Sequence, residues 1–321
     1  AVGSLETSDF TKRTRDYMET NSQVHLKFNK DVGSFNFNGL VGGNILRITS
    51  EDFNGSTVGG LVVPGLYNVA NSISPVDVSE ELIERGKNSL FGSLSIGYND
   101  FFYLELTGRN DASSTLPEDN NSYFYPSIST SLIFSELLDA DFLSFGKIRL
   151  NYAEVGNDAP AYSLSSTYQQ GTNWGDLPLY SVNATQQNPD PKPENTKSYE
   201  AGLEMYFLNR RVGFDLAFYQ NSTFNQIMPV NITDATGVQS KYVNGGELQN
   251  RGVELNLTGS PVKTDDFSWD INLNWAKNEN KVIKLARGVD NYLLYSNWGI
   301  SVNATEGRPY GTFRGTDYVY T

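Results

Sequence analysis

The sequence predicts an all-β protein whose antiparallel strands form a transmembrane barrel, and three observations favour this fold class. Apolar and polar side chains alternate strictly over runs of about ten residues, which is the period of a β-strand. The links between these runs alternate between short and long. The polar face of many runs carries ionised groups, and almost no helical segment is available to cover the apolar face. A closed barrel in lipid accounts for all three, because lipid covers the apolar face and water fills the lumen.

The alternation is clearest between Asn188 and Leu285. Four runs at 196–207, 212–221, 252–258 and 268–276 each place apolar residues on one face and polar residues on the other. Because a strand sends successive side chains to opposite faces, each run predicts a strand with a lipid-facing and a lumen-facing side. The expected lipid-facing residues are Tyr199, Ala201, Leu203, Met205, Phe207, Val212, Phe214, Leu216, Phe218, Val253, Leu255, Leu257, Trp269, Ile271, Leu273 and Trp275.

Earlier parts of the chain follow the same rule. Strands are expected around 24–28, 35–38, 93–99, 102–107, 128–133 and 147–152, for a total of about eleven. Short links are expected near 29–31, 99–101, 135–145, 208–211 and 262–266, and long loops near 49–88, 111–123, 157–197, 222–245 and 281–309. A short loop helix is expected at 78–83. Outer-membrane barrels have short periplasmic turns and long external loops, so the alternation predicts this orientation here.

The composition excludes several classes of protein. Mean hydropathy is −0.42, and no apolar run reaches about 18 residues, so no transmembrane helix is expected. The formal net charge of −13 leaves no basic stripe for a nucleic acid. The absence of cysteine excludes disulfides and thiolate metal sites. The 19 tyrosines and 18 phenylalanines suit the aromatic girdles of a barrel.

No group of residues predicts catalysis, so we expect neither enzyme activity nor a cofactor. The single histidine, His25, lies on the polar face of an early strand, and no pattern places it between a nucleophile and a carboxylate. Glu200 and Glu204 are about 13 Å apart along one strand, too far for a glycosidase pair. Asp139 and Asp141 are interpreted as a solvated loop tip rather than a calcium site, so no metal is expected.

Several segments resemble a known family. Asn-Pro-Asp-Pro-Lys-Pro-Glu at 188–194 resembles the segment that precedes a late barrel strand in TonB-dependent outer-membrane transporters. Asn-Gly-Gly-Glu-Leu-Gln-Asn-Arg-Gly-Val-Glu-Leu at 244–255 is similar to a pattern in the SusC/RagA branch of that family. Trp-Asp at 269–270, followed by Asn-Glu-Asn-Lys-Val at 278–282, and Arg-Asn-Asp-Ala-Ser-Ser at 109–114 resemble the same branch. The order and spacing of these motifs carry the resemblance, which covers most of 90–320.

The resemblance implies a large barrel of about 22 strands, plugged by an N-terminal domain and powered through the TonB complex. It also implies a SusD-like surface lipoprotein as partner and a location in the bacterial outer membrane. About half of the barrel strands are expected within 1–321 as part of one barrel domain, with the plug and the C-terminal strands outside this chain and a last strand begun at 310–320. The expected function is import of an oligosaccharide or peptide. The alternative is a soluble secreted β-sheet adhesin or glycan-binding module.

Aromatic residues in the two longest late loops are the candidate binding residues. Trp174 and Tyr180 lie in one of these loops, and Tyr295 and Trp298 lie in the other. The alternation of loop lengths places both loops outside the cell, where ring faces could stack on sugars or pack against a partner protein. Packing within the loops is the alternative role for the same residues.

Overall fold

The computed structural model describes residues 8–171 and 174–316, and strands dominate these residues. Four short 3₁₀ helices lie between strands, at Val69–Asn71, Glu118–Asn120, Phe134–Leu137 and Asp234–Thr236. The strands are β1 (Thr11–Val32), β2 (Phe35–Leu61), β3 (Ser72–Tyr98), β4 (Phe102–Ser113), β5 (Ser122–Leu132), β6 (Leu143–Asn157), β7 (Tyr168–Gln170), β8 (Tyr180–Val182), β9 (Thr185–Gln186), β10 (Glu194–Phe207), β11 (Val212–Phe224), β12 (Ile227–Asn231), β13 (Ser240–Asn244), β14 (Glu247–Lys263), β15 (Ser268–Lys284), β16 (Asn291–Asn297), β17 (Ile300–Thr305) and β18 (Thr312–Gly315).

Ten long strands form the main sheet, in the order β1-β2-β3-β4-β5-β6-β10-β11-β14-β15. The pairings from β4 to β15 are antiparallel. The short strands form three smaller sheets within the loops, β12-β13-β9, β16-β17-β18 and β7-β8. The predicted all-β antiparallel fold is therefore confirmed, and ten strands agree with about half of a barrel of about 22.

The strand register keeps like faces together across the sheet. One row of paired residues from β4 to β15 is apolar throughout, and the row beside it is polar from β6 to β15. A slip of one residue would mix the two faces, so the register specifies one apolar and one polar side of the sheet. The apolar row is Phe102, Leu132, Ile148, Leu203, Leu216, Leu255 and Trp275, and the polar row is Lys147, Glu204, Asp215, Asn256 and Asn274.

Tight turns close the short links. Asn99 and Asp100 both adopt positive φ, 48° and 58°, and the N–H of Phe101 donates to the carbonyl of Tyr98 at 3.2 Å. Positive φ at both central residues is the type I′ geometry that matches the twist of paired strands, and Asn and Asp tolerate it. The predicted short link at 99–101 is thus a two-residue hairpin.

Among the described residues, much of the apolar face of the sheet is exposed. Many of its side chains are exposed, Leu273 at 60% and Trp275 at 55% among them. A cluster of buried hydrophobic side chains lies instead at the loop ends of β14 and β15, around Val282, Leu285 and Ala304. Lipid is the cover that such a face requires. No helix within the described residues is long and apolar enough to cross a membrane.

The chain divides into two compact units. The first comprises the described parts of Ala1–Gln23 and Asn44–Asn88, and the second comprises Val24–Gly43 and the described parts of Ser89–Thr321. In the first unit, Nε of Arg13 donates to both carboxylate oxygens of Asp52, at 2.8 and 3.0 Å. The strands that supply this unit have 22 to 27 residues, well above the roughly 9–11 that cross a bilayer. They therefore extend beyond the membrane.

Three sequence predictions about elements were wrong. The expected helix at 78–83 is part of β3, and most of the expected long loop at 49–88 consists of β2 and β3. Strands number eighteen among the described residues rather than about eleven. A short apolar pattern cannot by itself distinguish helix from strand, and here pairing in the sheet decides the conformation. Within the expected last barrel strand at 310–320, the structure has the short strand β18, which pairs in the β16-β17-β18 loop sheet rather than in the main sheet, and residues 317–320 lie outside the described residues.

Candidate functional site

The four predicted binding residues lie on two loop hairpins. Trp174 and Tyr180 belong to the β7–β8 hairpin, and Tyr295 and Trp298 belong to the β16–β17 hairpin. All four side chains are exposed, by 77%, 63%, 61% and 96% respectively. Among the described residues, no ring contact joins one hairpin to the other. The structure therefore places two of these residues on each hairpin and leaves their rings open to solvent.

Trp298 occupies a strained position at the tip of its hairpin. Its φ is 48° and that of Gly299 is 82°, so both central residues of the turn between β16 and β17 have positive φ. Such turns favour Asn, Asp or Gly at the first central position, because a bulky side chain crowds the backbone there. A strained, almost fully exposed tryptophan contributes little to folding, and this combination supports a role in binding.

Trp174 begins a small turn of its own. Its N–H donates to the carbonyl of Leu177 at 2.9 Å, and the N–H of Leu177 donates back at 3.1 Å. Tyr180, the first residue of β8, pairs with Gln170, the last residue of β7. The backbone of this loop is thus fixed by its own hydrogen bonds, while its aromatic rings remain exposed.

Two motifs of the family resemblance meet where the segment before β10 contacts the loop that carries the β12–β13 hairpin. The side chain of Asn244 accepts from the N–H of Lys192 at 2.8 Å and donates to the carbonyls of Lys192 and Asn225 at 2.7 and 3.0 Å. Glu194 accepts from the N–H of Ile227 at 2.9 Å. The segment before β10 is therefore tied to the β12–β13 hairpin by side-chain bonds to backbone groups. We call these bonds the loop latch.

A small hydrophobic core supports the β16–β17 hairpin. Val282, Leu285 and Ala304 are 2–4% exposed. Partly buried side chains from β12, β14, β16 and the link before β16 pack around them, namely Met228, Leu248, Val289, Tyr292 and Leu294. The carboxylate of Glu306 accepts from the N–H of Leu285 at 2.7 Å. The hairpin that carries Trp298 is consequently anchored, although its tip is free.

The Arg-Asn-Asp-Ala-Ser-Ser motif forms a second anchor at the end of β4. Nε of Arg109 donates to Asp111 at 2.7 Å, and its Nη2 donates to Ser89 at 2.7 Å. Tyr125 donates its hydroxyl to the same carboxylate, and Asp111 is 3% exposed. A buried carboxylate needs such partners, since removal of one leaves a charge without compensation. The motif therefore fixes the upper ends of β4 and β5.

The polar face of the sheet carries a charged network across β6, β10 and β11. Arg149 contacts Glu200 through Nε at 3.2 Å and Asp215 through Nη1 at 2.7 Å. A side chain at Gly202 would overlap the Arg149 guanidinium, so glycine there lets the network form. Lys147 contacts Glu204 at 3.8 Å. Each carboxylate is held by a cation, which suits the wall of a watery lumen.

The remaining candidates are His25 and the acidic groups that were considered for catalysis or metal binding. His25 is exposed on β1. No group of three or more His, Cys, Asp or Glu residues within 8–171 and 174–316 is placed to hold a metal ion.

Sequence reasoning missed the loop latch and the Arg149 network. Asn244 and Glu194 were visible as members of family-like motifs, but no residue pattern indicates that the two motifs touch. Arg149 was visible only as a polar residue of an alternating strand. The pairing of β6 with β10, which crosses a long loop, was needed to place Arg149 beside Glu200.

Comparison with known proteins decides the family. Residues 2–321 match the family model described as "TonB dependent receptor-like, beta-barrel". The chain belongs to this TonB-dependent receptor family. It is 28% identical over 291 residues to TonB-dependent receptor P26 of Formosa agariphila, covering 87% of this chain and 29% of that protein. It is also 26% identical over 282 residues to TonB-dependent receptor SusC of Bacteroides thetaiotaomicron, covering 83% and 27%.

Solved structures show the same fold. The RagAB peptide transporter aligns with a TM-score of 0.78 at 22% identity, covering 93% of this chain and 34% of that one. The ferric preacinetobactin receptor BauA of Acinetobacter baumannii aligns with a TM-score of 0.52 at 15% identity, covering 91% and 41%. The predicted resemblance to SusC/RagA receptors and the outer-membrane location are confirmed. The chain spans about a third of the length of the curated relatives that it matches.

Proposed function

We propose that this TonB-dependent receptor barrel imports an oligosaccharide or peptide across the outer membrane, and that the loop hairpins capture the ligand or a partner. The observation that carries the proposal is the contrast between the two ordered hairpin backbones, one closed by its own hydrogen bonds and one packed on a small core, and their exposed aromatic rings. Large rings held on fixed supports bind with little loss of conformational entropy, and they suit both sugar faces and hydrophobic protein anchors.

A SusD-like lipoprotein and the TonB complex are the proposed partners. The relative named SusC and the fold shared with a peptide transporter, RagAB, support a place in that branch. We place the TonB contact in a plug that is not part of 1–321, and we assign 1–321 to one barrel domain that further strands complete. The barrel itself makes and breaks no bonds. Its work is differential binding, in which the loops hold a ligand until the plug moves.

Peptide and oligosaccharide remain two candidate ligand classes. The RagAB structures concern a peptide transporter, which favours peptide. The exposed rings of Trp174 and Trp298 favour stacking on sugars. Family membership supports the membrane barrel over the soluble adhesin.

The test replaces the tip residues in the full receptor with its lipoprotein. Trp174→Ala should weaken ligand or lipoprotein association by about 1–3 kcal/mol, as truncation of an aromatic anchor does. Trp298→Asn should weaken it similarly while suiting the type I′ turn better than tryptophan does. Phe267→Ala, which removes an exposed ring beside a short link, is the matched control and should change nothing.

Calorimetry with oligosaccharide and peptide pools would measure ligand affinity, and co-purification would measure the lipoprotein. Heat-modifiable gel mobility would verify barrel assembly for every variant. Unchanged ligand affinity and unchanged lipoprotein recovery for both tryptophan variants would refute the proposed role of the hairpin tips.

A further inference from the structure

A groove opens on the apolar face of the sheet between β6 and β15. Its volume is about 710 Å³. Apolar side chains form its walls, and two cations stand at its upper rim. Its lining includes Leu150, Tyr199, Phe218, Val253, the cations Arg251 and Lys277, and Glu279, the carboxylate that both cations contact. Because this face is the lipid-facing one, the groove opens towards the membrane rather than the lumen.

Strand lengths place the cations at the outer surface of the bilayer. On β15 the apolar-face residues run from Trp269 to Trp275, and Lys277 is the first charged residue on that face. From Ser268 to Lys277 is ten residues, which is the roughly 9–11 that cross a bilayer. The strand begins at a short link, on the periplasmic side. Lys277 therefore lies where lipid head groups meet the external solvent.

One carboxylate orders the two cations. Glu279 contacts Nη2 of Arg251 at 3.1 Å and Nζ of Lys277 at 3.3 Å. Lys281 follows at the next position on the same face of β15. Two cations thus share one carboxylate at the groove, which leaves an excess of one positive charge there in a chain whose net charge is −13. An arginine has five donor hydrogens and a lysine has three, so donors remain for a further anion.

We propose that this groove binds one phosphorylated lipid of the outer leaflet, with the phosphate on Arg251 and Lys277. The acyl chains would lie along Leu150, Phe218 and Val253. A lipid has its anion directly above its apolar part, and this groove has its cations directly above apolar walls. Arginine is suited to phosphate because its fork of donors matches the phosphate oxygens. The site is separate from the loop hairpins and does not depend on the imported ligand.

Charge complementarity favours a lipid over the other possible occupants. A second copy of this sheet could cover the apolar walls with its own apolar face. It would not supply an additional anion for Arg251 and Lys277. Free phosphate would leave the apolar walls uncovered.

The experiment uses the full receptor, purified in a neutral detergent and stripped of lipid. Native mass spectrometry would titrate it with monophosphoryl lipid A and with the same lipid after removal of its phosphate. The test variant is Arg251→Gln/Lys277→Gln. The control is Arg211→Gln/Lys263→Gln, which removes the same charge at the periplasmic ends of β11 and β14.

We expect one phosphorylated lipid per receptor and weaker binding of the dephosphorylated form. The test variant should lose about 30-fold in affinity, which corresponds to about 1 kcal/mol for each cation removed. The control variant should bind like the unmodified receptor. Equal affinity for the two lipids, no loss in the test variant, displacement of the lipid by millimolar inorganic phosphate, or lipid-free receptor dimers would each overturn the proposal.

Discussion

A matched pair of arginine substitutions on β15 tests which face of the sheet meets lipid. Leu273 and Asn274 are neighbours in sequence and are both exposed in the protein. In water, Leu273→Arg and Asn274→Arg would therefore both be mild. In a membrane they differ sharply, because only Leu273 belongs to the apolar face.

The strand geometry sets the expected magnitude. Ten residues from Ser268 to Lys277, at about 3.3 Å each and a tilt near 45°, rise about 23 Å, which is close to the apolar band of an outer-membrane barrel. Leu273 is the sixth of these residues and lies near the middle of the bilayer. Arginine at that depth costs roughly 2–4 kcal/mol.

Arginine at 274 meets a different environment. Asn274 shares a pocket of about 260 Å³ on the polar face with Glu254, Asp215 and Arg149, the last two of which already form an ion pair. A cation there would have carboxylates and water nearby. We expect the change in unfolding free energy for Asn274→Arg to stay within about 0.5 kcal/mol.

Urea titration of the full receptor in phosphatidylcholine vesicles would measure both variants, with heat-modifiable mobility reporting the folded fraction. Equal loss of unfolding free energy for the two variants, or no loss for Leu273→Arg, would refute the assignment of the lipid-facing side.

Two further predictions concern regions outside the bilayer. A biotinylation tag at Gly171 should be labelled on intact cells and one at Asn209 should not, because the first lies in a long external loop and the second in a short turn; equal labelling would contradict this topology. Glu80 raises the pKa of Glu51 by hydrogen bonding to it and by its charge, so the folded state loses stability as pH rises through the folded pKa of Glu51. The unmodified protein should therefore lose amide-exchange protection in β2 between pH 4 and pH 8. Glu51→Gln should reduce this loss, whereas Glu81→Gln should leave it unchanged. The same pH dependence of protection in all three proteins would count against an interaction between Glu51 and Glu80.

Sequence periodicity was sufficient for the sheet because period two is a local property. The rule that places Leu203 and Leu216 on one face also places them opposite each other once the hairpin closes. Periodicity was insufficient at 78–83, where a short mixed segment fits either helix or strand, and the backbone pairing of β3 decides. The periodic signal is strongest where one side of a strand meets lipid and weakest in the strands that leave the membrane.

The sequence alone does not predict contacts between strands that are separated by a long loop. The Arg149 network needs β6 to pair with β10, and a loop of more than thirty residues separates these strands. Chain order restricts which strands are neighbours, but the register of a pairing closed by a long loop is set by packing. Residues brought together by such pairings have no sequence pattern of their own.

The family-like motifs and the candidate binding residues occupy different parts of the loops. Asn244 and Glu194 bind backbone at the loop bases, and Asp111 fixes the end of β4, so the motif residues act as anchors. Trp174 and Trp298 lie outside every motif, and their side chains are largely exposed. An anchor constrains the backbone around it, whereas an exposed tip can change its side chain without disturbing the fold. The motif residues that resemble the family therefore identify the fold. The chemistry of the ligand has to be determined from the exposed residues of the hairpins.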